Sequence, residues 1–173
     1  MCLIAGMVSD TLNLTSPTTT NLDREVLEWL CGIASVDAAE FTHDFFASGS
    51  LLAHNTAEEA INADRKVFEE NGARVSISHV EESGLDLFAG RKEDLSNALD
   101  NLIEVKAYDL ALLIVTDINS HHSLLLGSGN AQIMNALNFD RDADGVFQAP
   151  GVVSRKKQVF PAVCQAIRIA SHR

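Results

Sequence analysis

Short apolar runs alternate along the chain with segments in which apolar residues recur every three or four positions. Residues 3–8 and 110–115 are continuous apolar runs, which are typical of buried strands. Residues 74–80 alternate apolar and polar positions, as a half-buried strand does, and residues 122–126 form a further candidate strand. Strands that alternate with helices along the whole chain predict an α/β fold in which helices flank a sheet.

Helix starts are marked by a capping residue followed three positions later by an acidic one, as at Thr20, Asp37 and Thr56. Each predicted helix then carries apolar side chains at helical spacing. The predicted inward side chains are Val26, Leu27, Leu30 and Ile33 in the first helix, Phe41, Phe45 and Phe46 in the second, and Ala60, Ile61 and Phe68 in the third. Asn71-Gly72 predicts a turn. Further helices are predicted over residues 93–105, 130–137 and 162–169, with Pro161 in the first turn of the last one.

The composition is that of an acidic globular protein. The 173 residues include 13 Lys and Arg against 24 Asp and Glu, a formal net charge of −11, and 46% of them are hydrophobic. This balance argues against disorder and against a broad nucleic-acid-binding surface, which needs clustered cations. The longest apolar run is too short for a membrane span or a secretory leader. Three widely spaced cysteines match no metal or redox motif, and we expect a cytoplasmic protein.

Asp10 follows the first apolar run directly. If that run is a strand, Asp10 lies at its carboxyl end, where open α/β sheets bind ligands, and its carboxylate could hold a metal ion. A turn-capping role for Asp10, satisfied by neighbouring polar groups, is the alternative.

A basic run at residues 154–158, SRKKQ, concentrates positive charge in this acidic chain. The planar guanidinium of Arg155 matches phosphate oxygens, and Lys156 adds a mobile point charge beside it. The run follows the Pro150-Gly151 turn and has apolar residues on both sides, which ties it to the core. It therefore predicts an anion site, with a solvated surface patch as the alternative.

Two further patterns do not predict metal sites. Residues 140–145, DRDADG, match the first half of a calcium-binding loop, but the twelfth position is Gly151 instead of the required bidentate Glu. We interpret the segment as an acidic turn between a helix and a strand. His121 and His122 are adjacent, and adjacent side chains diverge on a strand.

The segments around Asp10 and Arg155 together resemble one family. Residues 5–18, AGMVSDTLNLTSPT, resemble the stretch with a metal-ligand Asp in manganese-dependent (family II) inorganic pyrophosphatases. Residues 151–159, GVVSRKKQV, resemble the phosphate-binding signature near the C terminus of that family, and residues 57–68 and 113–129 resemble the body of its DHHA2 domain. The order and spacing agree over essentially the whole chain.

This resemblance implies a fold and a domain division. The expected fold is a DHHA2-like mixed β-sheet flanked by helices and preceded by the last strand of a DHH domain. Residues 1–20 would be the remnant of the DHH domain with a linker, and residues 21–173 the DHHA2 domain. An unpaired first strand would also favour a homodimer.

The resemblance also implies an activity, namely hydrolysis of pyrophosphate to two phosphates with Mn²⁺ as the cofactor and Mg²⁺ as a further ion. Asp10 would be one manganese ligand. The pyrophosphate would be bound by Arg155, Lys156 and Ser154. The N-terminal DHH domain that carries the remaining metal ligands would be the partner. Because one carboxylate cannot retain a divalent cation, we expect this chain to be inactive alone.

The chain departs from the family pattern at one substrate-binding position. The Lys that usually precedes the Thr-Ala-Glu of the middle helix is replaced by Asn55, and we hypothesise that His54 or Lys66 supplies the lost charge. Two alternatives stay open. One is a prune-like or other DHH-superfamily exopolyphosphatase or phosphoesterase, and the other is a stand-alone, non-catalytic anion-binding module.

Overall fold

The computed structural model describes residues 1–171, which form two compact units, one comprising Met1–Ser50 and one beginning at Leu51. This division comes thirty residues after the boundary expected from the sequence. The assignment of residues 1–20 and 21–173 to two domains stays a prediction, and the last two residues of that range lie outside the described part. Among residues 1–171, no helix combines the length and the apolar character that crossing a membrane requires.

The first unit contains three helices, α1 (Cys2–Thr11), α2 (Asn21–Ala34) and α3 (Ala38–Ser48). The predicted caps of the last two are confirmed. Thr20 and Asp23 form a reciprocal capping box at α2, and the Asp37 carboxylate accepts hydrogen bonds from two backbone N–H groups at the start of α3. Such caps satisfy donors that a helix start otherwise leaves without partners.

The prediction of a strand at residues 3–8 is wrong, because these residues belong to α1. The expected last strand of a DHH domain is therefore a helix, and the argument for a homodimer through its edge no longer applies. The physical reason is that a six-residue apolar run can be buried equally well by either element. In α1, Ile4 and Val8 are four residues apart and are buried, while Leu3 is 70% exposed.

Helix α2 buries only part of the face that its sequence predicts. Its buried residues are Leu27 and Cys31, whereas Ile33 is 65% exposed. The side chains of Leu22 and Trp29 are also mostly exposed. Together with half-buried Val26, these residues are spaced by four, three and four positions, so they form one apolar stripe along the helix.

The second unit contains a mixed six-stranded sheet between two layers of helices. Its elements in chain order are α4 (Leu51–His54), α5 (Ala57–Ala63), β1 (Arg65–Glu70), β2 (Ala73–Glu82), α6 (Asp86–Lys106), β3 (Leu110–Asp117), β4 (His122–Gly129), α7 (Ala131–Ala136), β5 (Asp140–Arg141), β6 (Phe147–Pro150), a π-helical segment (Arg155–Val159) and α8 (Phe160–Ser171). The strand order is β1-β2-β3-β4-β6-β5. Strands β2 and β3 are parallel and joined through α6, and the other neighbours are antiparallel. The predicted α/β class with a mixed sheet is confirmed.

The strand β1 corrects a second prediction. The helix that begins at the Thr56 capping box ends at Ala63, and Phe68 lies in β1 instead of on that helix. Phe68 pairs with Val75 across a hairpin whose turn is Asn71-Gly72, and both turn residues have positive φ. This turn matches the twist of paired strands, which explains why the chain reverses here as a hairpin.

The two faces of the sheet bury separate apolar clusters. One face packs against α5 and α6, with Leu95, Leu99 and Leu113 among its members. The other face packs against α7 and α8, with Leu112 and Val163 among its members. Strand β3 is buried along its whole length, as its continuous apolar sequence predicts. Arg155, as shown below, belongs to the second face.

A stability prediction arises at the end of α6. Ala107 caps this helix in the left-handed conformation, with φ 51°, and its side chain is exposed. Because glycine adopts this conformation without the steric cost that alanine incurs, Ala107→Gly is expected to raise the free energy of unfolding by about 0.5–1 kcal/mol. Ala89→Gly, at an exposed position inside α6, is the matched control and should lower it by about the same amount. Urea denaturation measures both, and a loss of stability in Ala107→Gly would contradict the prediction.

Candidate functional site

Polar side chains collect at the carboxyl end of β2 and β3, on the sheet face that packs against α8. His79 and Glu81 come from β2 and Thr116 from β3, and Ser123 from β4 lies beside Thr116. Asp64, immediately before β1, lies next to His79, whose backbone N–H donates to the Asp64 carbonyl at 3.1 Å. Ligands bind at the carboxyl ends of strands in open α/β sheets, so this is the position where a site is expected.

The predicted basic run forms the π-helical segment that enters this region. Ser154 caps the segment, its hydroxyl accepting from the backbone N–H of Lys157. The side chain of Gln158 closes the preceding loop, since its Oε1 accepts from the N–H groups of Val153 and Ser154 and its Nε2 donates to the Gly151 carbonyl. π-Helical turns are rare in proteins overall, and those that occur are often at functional sites. The run is thus a hydrogen-bonded segment that continues directly into α8.

Arg155 points from this segment into the protein. Its guanidinium donates through Nη2 to Asp64 Oδ1 at 2.9 Å, and through Nη1 to the carbonyls of Asp64 at 2.6 Å and Ile77 at 3.3 Å. The Arg155 side chain is only 9% exposed, against 51% for that of Asp64. Three of the five guanidinium N–H groups are engaged by these acceptors, which fixes the plane of the group.

Lys66 lies on the same sheet face as Arg155. It pairs with Ile77, whose carbonyl accepts from Arg155, and it lies between Asp64 and Phe68 along the chain. Phe68 stacks on Phe160, the first residue of α8, with ring centroids 4.2 Å apart. Lys66 is exposed, as is Lys156 in the neighbouring segment. The structure therefore brings Lys66 to the sheet face and end that hold the basic run.

A chain of hydrogen bonds connects His79 to the loop before the basic run. His79 Nε2 is 2.8 Å from Thr116 Oγ1, which is 2.7 Å from Ser123 Oγ, and that hydroxyl donates to the Val152 carbonyl. Burial, followed by the charge of Arg155, lowers the pKa of His79 to about 4. The imidazole is therefore neutral at pH 7.

Glu81 is shifted in the opposite direction. Burial raises its pKa to about 7, and the nearby Asp64 carboxylate adds to the increase. At neutral pH this carboxyl is close to half-protonated. Sequence reasoning missed Asp64, His79 and Glu81. The signal for Asp64 was its position just before the charged strand β1, and alternation in β2 places His79 and Glu81 on one face.

Two of the other predicted site residues belong to other elements. His54 ends α4, whose Leu52 packs into the cluster on the opposite sheet face. Asp10 is exposed in the last turn of α1, in the first unit. Asn55 is not a cation and donates from its side chain to the Leu51 carbonyl at 3.3 Å. Among the described residues of the second unit, the predicted site residues that come together are Arg155, Lys156, Ser154 and Lys66.

The described residues do not provide a metal site by themselves. Among residues 1–171 there is no group of three or more His, Cys, Asp or Glu side chains placed to hold a metal ion. The acidic turn at residues 140–145 is satisfied internally, because Asp142 accepts from the N–H groups of Asp144 and Val146 and from Gln148 Nε2. The described residues of this chain therefore do not fit manganese by themselves.

Comparisons with known proteins show which family the chain resembles. Residues 43–166 match the family model described as the DHHA2 domain. A probable manganese-dependent inorganic pyrophosphatase of Clostridium acetobutylicum is 34% identical over 169 residues, which are 96% of this chain and 54% of the relative. The corresponding protein of Lactobacillus gasseri is 35% identical over 168 residues, which are 95% of this chain and 54% of the relative.

A solved structure is similar over the same range. It is the crystal structure of a Methanococcus jannaschii protein that has been assigned to the family II inorganic pyrophosphatases. The two chains are 33% identical with a TM-score of 0.82, and the similarity covers 96% of this chain and 54% of that one. The chain thus spans about half the length of the relatives it matches. With most of its residues matched by the family model, the chain belongs to the DHHA2 domain family.

Proposed function

We propose that this chain is the substrate-binding, C-terminal part of a manganese-dependent inorganic pyrophosphatase, whose complete form hydrolyses pyrophosphate to two phosphates. The observation that carries the proposal is the grouping of Arg155, Lys156 and Lys66 at one end of one sheet face in a chain of net charge −11. Pyrophosphate is a compact polyanion, and clustered guanidinium and ammonium groups bind such anions through charge-assisted hydrogen bonds.

The residues have different tasks in this proposal. Arg155 offers the substrate the guanidinium N–H groups that the Asp64 and Ile77 acceptors leave unengaged, in a fixed orientation. The exposed Lys156 and Lys66 are mobile point charges that adapt to the substrate. Ser154 caps the π-helical segment and so holds the backbone that carries both Arg155 and Lys156. His54 stays a hypothesis as a further cation, and its location on the other face does not favour it.

Asp10 is proposed as one metal ligand of the complete protein, which uses Mn²⁺ with Mg²⁺ as a further ion. Two local features support a role other than stability. A carboxylate in the last turn of a helix opposes the helix dipole. The next residues, Leu12, Asn13 and Leu14, are all left-handed, with φ 48°, 49° and 66°, and such strain accumulates at functional sites.

The N-terminal half found in the relatives is the proposed partner. The apolar stripe of α2 (Leu22, Val26, Trp29 and Ile33) supports this, because exposed apolar patches of this kind mark interaction sites. In the relatives, the unmatched 46% of the polypeptide is covalently joined to the matched part, which gives it a high effective concentration at this unit. A homodimer stays a prediction without structural support from a strand edge.

We also propose a cytoplasmic location. Cys2, Cys31 and Cys164 are free thiols. Thiols persist in reducing compartments, which supports this assignment.

The proposed division of labour predicts binding without turnover. With Mn²⁺ present, this chain alone is expected to release no phosphate from pyrophosphate and to bind pyrophosphate in a calorimetric titration. Lys156→Ala should weaken binding by at least about tenfold, because a charge-assisted hydrogen bond contributes roughly 1.5–3 kcal/mol. Lys92→Ala is the matched control, since Lys92 pairs with Asp144 instead. Turnover by the chain alone would contradict the division of labour, and absence of binding would contradict the substrate-binding role.

An exopolyphosphatase or phosphoesterase of the prune-like type is the second candidate, and Asn55 favours it. The Asn55 amide bonds within its own helix turn and supplies no charge to a substrate. Titration of tripolyphosphate beside pyrophosphate separates the two, because a preference for the longer anion favours the exopolyphosphatase. A stand-alone anion-binding module, the third candidate, predicts the same binding but no gain of activity with an N-terminal half.

A further inference from the structure

Asp64 contacts the guanidinium of Arg155 through two different groups. The Asp64 carboxylate accepts from Nη2 and the Asp64 carbonyl accepts from Nη1. The Ile77 carbonyl completes the set of acceptors. Because the three acceptors contact two edges of a planar group, they fix both the position and the tilt of the guanidinium.

Asp64 is itself fixed by the fold. It links α5 to β1, with φ −130° and ψ 67°, and its carbonyl also accepts from the His79 backbone N–H. Lys66 follows two residues later, in β1. Asp64 thus connects the geometry of Arg155 to the sheet edge that carries the second cation.

A carboxylate at this location is unfavourable for anion binding by electrostatics alone. A negative charge that contacts Arg155 lowers the local positive potential that attracts pyrophosphate. A carboxylate beside a buried Arg compensates the desolvated charge. It can also fix the guanidinium before the substrate arrives, and a preorganised group loses less conformational entropy on binding.

We propose that Asp64 is a positioning residue that holds the guanidinium of Arg155 in the orientation that receives a phosphate group. This inference rests on the proposed substrate-binding function and adds a residue to it. Asp64 does not contact the substrate. It acts through Arg155, and its acceptor oxygen matters more than its negative charge.

The direction of the change in affinity separates positioning from simple electrostatics. If Asp64 only neutralises Arg155, then Asp64→Ala and Asp64→Asn both remove a negative charge and both tighten pyrophosphate binding. If Asp64 positions Arg155, then Asp64→Ala weakens binding although a repulsive charge is gone. Asp64→Asn keeps an acceptor oxygen near Nη2 and recovers binding.

The experiment is calorimetric titration of the whole chain with pyrophosphate at pH 8 and 25 °C, with the folded fraction checked by circular dichroism. Asp64→Ala is expected to weaken binding by at least about tenfold, the lower end for the loss of one charge-assisted hydrogen bond, while Asp64→Asn stays within about threefold of the wild type. Glu81→Gln is the matched control, because it removes a neighbouring negative charge that makes no contact with Arg155. It should leave binding unchanged or tighter.

Each result decides between the hypotheses. A wild-type chain that does not bind pyrophosphate overturns the proposed function itself. Binding by the wild type with equal or tighter binding by Asp64→Ala overturns the positioning role and leaves the function intact. If Asp64→Ala does not fold, Asp64→Glu tests the same point, since it keeps the charge but moves the carboxylate by one methylene. Weaker binding is then expected, and unchanged binding would overturn the inference.

Discussion

Replacing Gly129 by alanine is expected to lower the free energy of unfolding by about 2–5 kcal/mol. Gly129 ends β4 with φ +115°, and a Cβ atom there would lie 2.4 Å from the carbonyl oxygen of Asp109. The obstacle is backbone, which cannot rotate away as a side chain can. Overpacking costs about 1–3 kcal/mol, and a left-handed conformation at a residue other than glycine adds about 1–2 kcal/mol.

The atoms around Gly129 cannot easily move to relieve this clash. The same Asp109 carbonyl accepts from the Asn130 N–H at 2.7 Å, and the Asp109 N–H donates to the Arg74 carbonyl. Moving Asp109 would therefore disturb the junctions of β2, β3 and β4 together.

Gly90→Ala is the control, because Gly90 is exposed within α6 with nothing near its Cβ position, and it should stabilise by about 0.5–1 kcal/mol. Urea denaturation measures both. A loss below about 1 kcal/mol for Gly129→Ala would show that this strand end relaxes freely.

The second large effect is a pH dependence of the free energy of unfolding, in which the contributions of His79 and Glu81 partly cancel. The pKa of His79 is about 4 in the folded protein against an ordinary 6.5, so folding disfavours its protonated form. Taken alone, His79 makes stability fall as the pH decreases from 6.5 to 4. The pKa of Glu81 is about 7 against an ordinary 4.5, so folding disfavours its ionised form. Taken alone, Glu81 makes stability fall as the pH increases from 4.5 to 7.

These two slopes oppose each other between pH 4.5 and 6.5. Each full shift of about 2.5 pKa units corresponds to roughly 3 kcal/mol. Removing one group should therefore expose the slope of the other. Relative to the wild type, His79→Gln is expected to lose stability with rising pH, whereas Glu81→Gln should gain it. The glutamine in His79→Gln can keep a hydrogen bond to Thr116.

Urea denaturation of the three proteins at intervals from pH 4.5 to 7 measures this dependence. The difference between each variant and the wild type isolates the group removed, since carboxyls elsewhere titrate equally in all three proteins. Parallel curves for the two variants would refute opposing shifts. A change of the same sign in both would place the pH sensitivity at other groups.

Local signals in the sequence predicted much of the fold. The capping boxes at Thr20 and Thr56 and the cap at Asp37 gave correct helix starts, because a cap acts within three residues of the helix it begins. The continuous apolar run at residues 110–115 predicted the central strand correctly. Where only length and apolarity were available, at residues 3–8, helix and strand could not be told apart, and the prediction was wrong.

In the candidate site, too, the features that depend on neighbouring residues were predicted and those that depend on distant residues were not. The basic run with Arg155, Lys156 and Ser154 is contiguous, so its charge is visible in the sequence, and Lys66 was named only as a hypothesis. The contact between Asp64 and Arg155 joins residues 91 positions apart, and no local pattern indicates such a pair. The pKa shifts of His79 and Glu81 likewise depend on burial by distant segments.

By itself the sequence determined the α/β class, most helix starts, the central strand and the position of the cationic segment, because caps, periodicity and local charge act over a few neighbouring residues. The tertiary structure alone decided that the first apolar run is a helix and that the apolar stripe of α2 is exposed. It also decided that Arg155 is buried against Asp64, with Lys66 on the same face. These outcomes depend on which distant surfaces remove side chains from water and which acceptors then face them.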